Sequence, residues 1–178
     1  MEMMERKFFF VWTMNKEKAY LEEMARKGYT LTNVKLFKYY FIKTDPVDYV
    51  YEFDFQYLYK MSEEEYLSFF KEWELVKRFG LWYYFRRIRT NTAKDYIYSD
   101  NESKGNMYKG IFIFLILTGL PLYFQLLILN FQLLVMNGAL ANFYQYFRFV
   151  LFILTPIHFM VSVSMLVTYV AYKRKIQE

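Results

Sequence analysis

Apolar residues are distributed along this chain in two unlike ways. Through about residue 90 they come in short alternations and helical stripes broken by Gly, Pro and charged residues, and beyond residue 110 they run almost without interruption. Residues 7–13 read as a strand, followed by a helix that Asn15 caps, that buries Tyr20, Leu21, Met24 and Ala25, and that Gly28 ends. Strands are predicted over 29–35, 36–44 and 49–57, the last two joined through a turn at Asp45, Pro46, Val47 and Asp48. In 49–57 a period of two puts Tyr49, Tyr51, Phe53, Phe55 and Tyr57 on a packing face and Val50, Glu52, Asp54 and Gln56 on a wet one. Ser62 and Glu65 form a capping box that opens a second helix. Its stripe of Tyr66, Phe69, Phe70 and Trp73 is expected to pack against Tyr51, Phe53 and Phe55. Closing strands over 74–79 and 81–88 meet near Gly80. The order β-α-β-β-β-α-β-β predicts an α+β domain over 1–89, an antiparallel sheet with two helices on one face.

The second pattern predicts a transmembrane hairpin over 110–178. Residues 110–147 carry no formal charge, and 149–172 carry only His158 as a group that titrates near neutrality. A bilayer core of ~30 Å needs ~20 helical residues, so spans are expected at about 111–136 and 149–172. Asn137 and Gly138 mark the break, and Phe143, Tyr144, Tyr146 and Phe147 suit a short interfacial loop up to Arg148. Lys94, Lys104 and Lys109 precede the first span and Lys173, Arg174 and Lys175 follow the second, against Arg148 alone in the loop. That asymmetry predicts a multi-pass protein of the cell membrane with cytoplasmic N- and C-termini. Residues 90–109 read as a polar linker in which Tyr96 and Tyr98 offer rings that can dock, and no cleaved signal peptide is expected.

Composition narrows the chemistry. The chain has no Cys and one His, which excludes disulfides, thiolate sites and His-based metal clusters. The net charge of +5 is no nucleic-acid footprint, because the basic residues of the first half are mixed with acidic ones. No Walker loop, G-x-G-x-x-G, G-x-S-x-G or H-E-x-x-H is present. Glu63, Glu64 and Glu65 are accounted for by the positive end of the second helix, and Glu52 and Asp54 by a solvated strand face. Gln125, Asn130, Gln132, His158, Ser162 and Ser164 are expected to hydrogen-bond between the spans, with Pro121 and Pro156 as kink sites. His158 is the ionisable group to watch there. Arg86, Arg87, Arg89 and Lys94 are placed to meet anionic lipid headgroups or solvent. No catalytic, cofactor-binding or metal residue is assigned.

Residues 19–29 (AYLEEMARKGY), 40–42, 49–53 (YVYEF), 73–76 and 82–87 (WYYFRR) carry a resemblance. Over roughly residues 7–87 the chain resembles the Gram-positive bacterial family catalogued as domain of unknown function 2812. Family members often have Trp where this chain has Tyr20 and Tyr29, and Gly where it has Glu72. The resemblance implies C-terminal membrane helices and, from frequent gene neighbours, an association with PadR-like transcriptional regulators. It implies no catalytic residues.

The expected function is therefore a membrane-anchored cytosolic interaction or sensory/regulatory domain without catalysis. A subunit of a small transporter or membrane-remodelling assembly is the alternative, and a lipid-directed membrane enzyme the second. The expected partners are the lipid bilayer and a protein, either a PadR-like regulator or a membrane subunit. Direct nucleic-acid binding is not expected, and the hairpin leaves room for a homo-oligomer.

Overall fold

The computed structural model describes residues 2–56, 61–92, 95–98, 100–132 and 139–177. Expectations resting on Tyr57, Lys94, Met136, Asn137 and Gly138, and on the side chain of Gln132, fall outside the described residues. The chain forms two compact units, Met1–Ser103 and Lys104–Glu178.

The first unit is α+β. Its strands are β1 (Glu2–Arg6), β2 (Tyr29–Lys35), β3 (Lys38–Lys43), β4 (Tyr49–Phe55), β5 (Glu74–Phe79) and β6 (Trp82–Ile88), and its helices α1 (Met14–Arg26) and α2 (Glu63–Ser68). The strands divide between two antiparallel three-stranded sheets, ordered β1-β3-β2 and β4-β6-β5, so the connection through Asp45–Asp48 leaves one sheet for the other. The first strand is displaced from its expected place. Residues 2–6 pair with β3, whereas the apolar stretch expected as a strand is irregular at 7–10 and a 3-10 turn at Val11–Thr13. Hydrophobicity alone had marked that stretch, but its rings serve as a cover rather than as a ladder. Asn15 lies inside α1, whose N-cap is Thr13.

Gly28 ends α1 at φ 81°, where its amide donates to the Ala25 carbonyl at 3.0 Å. A Cβ there would stand 2.7 Å from the Thr44 carbonyl oxygen, so the site demands glycine on two counts. The buried stripe of α1 is Met14, Glu17, Leu21, Met24 and Ala25. It turns toward the sheet-one face bearing Tyr39 and Phe41 and the sheet-two face bearing Phe53 and Tyr84. Tyr20 meets Tyr39 and Phe41 edge-on, and Glu17 bonds both Tyr39 and Tyr84.

The opposite face of the second sheet is not wet. Opposed residues place Val50, Glu52 and Asp54 on one face with Arg87, Phe85 and Tyr83. α2 and the segment after it cover that face. Ser62 caps α2 through the Glu65 amide at 3.1 Å, and Tyr66 buries itself against Tyr83 and Phe85, with Phe70, Trp73 and Ile97 around them. The stripe thus packs on Tyr83 and Phe85, not on Tyr51, Phe53 and Phe55. α2 stops at Ser68, helical spacing ends with it, and Phe69 is exposed.

The second unit is an antiparallel helical pair, formed by most of α3 (Asn101–Gln132) and by α4 (Ala139–Gln177). Residues 139–148, expected as a loop, are the first turns of α4. They contain neither Gly nor Pro, and nothing in them breaks a helix. On α4 the least exposed positions are Leu151, Thr155, His158, Ser162 and Met165, at steps of four and three. On α3 the buried positions include Gly105, Ile111, Gly119 and Leu129, and the two glycines lie against Tyr172 and His158 of α4, so the seam admits close approach of the helices. Outside the seam Leu117, Leu120, Phe124, Leu127, Phe131, Phe152, Met160 and Val167 are exposed. Both helices are long and apolar enough to cross a membrane.

Candidate functional site

Between α1 and the inner faces of the two sheets lies a cavity of about 160 Å³. Its inner wall is built from the buried side chains of Met14, Glu17, Val34, Tyr39, Phe53 and Tyr84. Each comes from a different element or register position that the alternation already turns inward. Phe9 and Trp82 extend the aromatic lining, and the exposed Phe10, Leu36 and Phe79 form its rim. The irregular segment 7–10 is pinned across this rim by the Lys7 amide, which donates to the Phe37 carbonyl at 3.1 Å. Phe8 and Phe10 then lie 4.9 and 6.0 Å from the Phe37 ring, and Trp12 stacks on Phe10 at 4.8 Å.

Glu17 is the polar centre of this aromatic space, only 6% exposed. Tyr39 and Tyr84 donate their hydroxyls to its Oε1 at 2.7 and 3.0 Å. Among the described residues no Lys or Arg pairs with it. Loss of hydration raises its carboxyl above the ordinary range, with the two hydroxyls opposing that rise. Tyr39 and Tyr84 are held far above the usual phenol range, by burial first and by the Glu17 charge next. Both remain neutral donors. Sequence reading overlooked Glu17, although its position four residues before Leu21 and seven before Met24 puts it on the buried stripe.

The carboxylates that the sequence did single out are on the outer face of the second sheet, buried and fully engaged. Lys18 reaches Glu52 at 2.5 Å while its ammonium lies 5.8 Å from the Phe53 centroid on the other face, so this side chain wraps the free edge of β4. Asp54 accepts the Tyr66 hydroxyl at 2.6 Å, the Phe55 amide at 2.6 Å and the Tyr98 hydroxyl. Tyr98 thus docks the middle of the expected linker into the first unit. Burial and the Asp54 charge hold Tyr66 and Tyr98 well above the phenol range. This is the environment of structural acids.

The three arginines placed to meet lipid headgroups or solvent have protein partners. Arg86 makes a forked pair with Glu74 at 2.6 and 2.7 Å, Arg87 meets Glu72 at 3.0 Å, and Arg89 meets Glu22 at 2.6 Å and Asp48 at 3.1 Å. Strand register accounts for the first of these, since Arg86 of β6 lies opposite Glu74 of β5, whereas the partners of Arg87 and Arg89 come from the segment before β5, from α1 and from the connection before β4. Glu63 is engaged by Arg78 and Tyr83 at 3.1 Å each, and Glu64 and Glu65 are exposed. Tyr83 is pushed up to about 12, by burial before the Glu63 bond.

In the helical pair, His158 Nδ1 lies 3.1 Å from the Tyr123 hydroxyl, and its carbonyl accepts Ser162 at 2.8 Å. Its ring is seated on Gly119, where a Cβ would come 2.9 Å from Nδ1. Asn130 accepts from Arg148 at 3.2 Å and donates to the Leu126 carbonyl at 2.8 Å. Gln125 and Ser164 face outward and leave the seam to the others.

A family model described as a protein of unknown function (DUF2812) matches residues 13–120. The match covers more than half the chain and runs past the first unit into α3. No curated protein and no solved structure matches.

Proposed function

We propose a sensory role for this chain, which belongs to the DUF2812 family of proteins of unknown function: a membrane-anchored, non-catalytic domain on the cytoplasmic side that regulates a protein partner. The observation that carries the reading is the cavity around Glu17. It is a concave, mostly apolar space with one convergent polar centre, which is what a small-molecule site requires. It holds no nucleophile and base arranged for turnover, and the other buried acids are occupied by structural bonds.

The anchor follows from the exteriors of α3 and α4. Leu117, Leu127, Phe131, Phe152 and Met160 are each more than 60% exposed, a surface that water disfavours and hydrocarbon accepts. Tyr123 pairs with His158 and Asn130 with Arg148 between the two helices, which favours an anchor over a transport pathway. Lys104 and Lys109 before the first apolar run, and Lys173, Arg174 and Lys175 after the second, support cytoplasmic termini.

The absence of native cysteine makes the orientation directly testable. In intact cells, Asn142→Cys should react with a membrane-impermeant maleimide, and Lys173→Cys should react only after permeabilisation. The opposite pattern would invert the topology and remove the cytoplasmic sensor. Purification of the full chain in mild non-ionic detergent should retain a soluble regulator. Recovery of only further copies of the chain, or of transporter subunits, would favour an assembly role instead.

A further inference from the structure

We propose that the cavity binds a lipophilic organic cation, with an ammonium group seated against Glu17 among the Tyr39, Phe53, Trp82 and Tyr84 rings and its apolar substituent leaving past Phe10. The inference deepens the sensory reading, on which it rests for its biological purpose, by naming the class of signal.

Three observations converge. First, a carboxylate 94% removed from solvent has two neutral donors and no cation among the described residues, whereas Glu52 has the Lys18 ammonium and Asp54 has three donors. Both hydroxyls converge on Oε1, and none of the described residues hydrogen-bonds Oε2. Buried charge is stable only when paired, so an entering cation supplies what the fold leaves out. Second, aromatic faces surround that carboxylate, and rings attract a desolvated cation through their quadrupoles. The cavity of about 160 Å³ is of the size that admits a benzene-like or small tetraalkylammonium group, and not a peptide side of any length. Third, the rim is apolar. Phe10, Leu36 and Phe79 are exposed at 45%, 65% and 38%, a surface suited to the hydrocarbon portion of an amphiphilic cation.

Two protein cations come near this space and both are engaged elsewhere. Lys18 lies 5.8 Å from the Phe53 centroid but is bound to Glu52 at 2.5 Å. Lys35 lends its stem to the lining, and its ammonium lies 5.7 Å from the centroid of Tyr40, which alternates to the face of β3 opposite Tyr39. The titratable groups facing Glu17 are Tyr39 of β3 and Tyr84 of β6, both neutral. β4 and β5 present Phe53 and Phe79, and the N-terminal segment presents Phe9 and Phe10. A quaternary ammonium keeps its charge at every pH. Any pH dependence of its binding therefore belongs to Glu17, and affinity should rise with pH as that raised carboxyl ionises.

The test uses the full chain in an uncharged maltoside detergent, titrated with choline, with its neutral isostere 3,3-dimethylbutan-1-ol and with benzyltrimethylammonium, and followed by calorimetry and thermal unfolding. Choline and benzyltrimethylammonium should bind saturably and raise the melting temperature, benzyltrimethylammonium more tightly. The neutral alcohol should bind at least tenfold more weakly. Glu17→Gln, which keeps an oxygen acceptor for both tyrosines, should fold and lose at least tenfold in cation affinity, and Trp82→Leu should weaken binding with the fold intact. Equal binding of the alcohol and choline, no loss in Glu17→Gln, or no saturable binding would each overturn the proposal. Partner retention is a separate readout: its loss with cation binding intact would remove the regulatory reading and leave the site.

Discussion

The two sides of the second sheet treat buried acid in opposite ways. On the outer side Glu52 has an ammonium and Asp54 has two phenols and an amide, so each carboxylate is satisfied by its own chain. On the inner side Glu17 has two phenols, no cation among the described residues and a cavity beside it. The contrast separates acids that hold the fold together from one that the fold tolerates. A buried pair is broken at high cost when one partner is removed, whereas a lone buried acid is a standing penalty that neutralisation relieves.

The largest effect should come from breaking the outer pair. Lys18→Met leaves Glu52 buried without its cation and should lower stability by about 3 kcal/mol, seen as a drop in chemical denaturation midpoint. An unchanged midpoint would mean that Glu52 reaches water. Next, Tyr98→Phe removes one charge-assisted bond to Asp54 and should lower stability by about 2 kcal/mol. Because Asp54 keeps Tyr66 and the Phe55 amide, the loss should be milder than that from Lys18→Met. A loss equal to or larger than it would show that docking of 95–98, not one bond, had been undone. The smallest effect should be of opposite sign. The native state holds the Glu17 proton more tightly than the unfolded chain, whose glutamate has the ordinary value of 4.5. Stability contributed at this site therefore falls as pH rises from about 4.5 through the raised native pKa. Glu17→Gln should flatten that fall and should be no less stable than the parent at neutral pH, as unfolding curves across pH would reveal. Destabilisation by Glu17→Gln at neutral pH would mean that the carboxylate is a structural acid like Asp54.

Much of this fold was legible. The Ser62 cap, the Gly28 stop, the β5–β6 hairpin at Gly80 and the two apolar helices follow from local patterns that tertiary contacts did not override, whereas the cap expected at Asn15 lies at Thr13. The reading failed where one strand was judged alone. The alternation of Glu52 and Asp54 in β4 gave a wet face, yet the consecutive Trp82, Tyr83, Tyr84 and Phe85 of β6 already require both faces of the sheet to be covered. The division into two sheets was not visible, since a turn of the same composition closes a hairpin or leads to another sheet. Glu17 was overlooked because charge was equated with surface. Its helical spacing with Leu21 and Met24 was the better guide, but nothing in the sequence shows that no cation would meet it. The docking of Tyr98 depends on Asp54, 44 positions away, and no local pattern reports it.

One turn shows what the rim of the cavity costs the chain. Phe37 closes the β2–β3 hairpin at φ 56°, a left-handed conformation in which glycine or asparagine sits comfortably and a bulky ring does not. Its carbonyl still holds the Lys7 amide, and its ring meets Phe8 and Phe10. Glycine here would relieve the backbone and would strip from the entrance the ring on which Phe8 and Phe10 pack. The turn is thus a point at which backbone comfort and the aromatic rim of the cavity pull in opposite directions, and a ring stands where the backbone favours glycine.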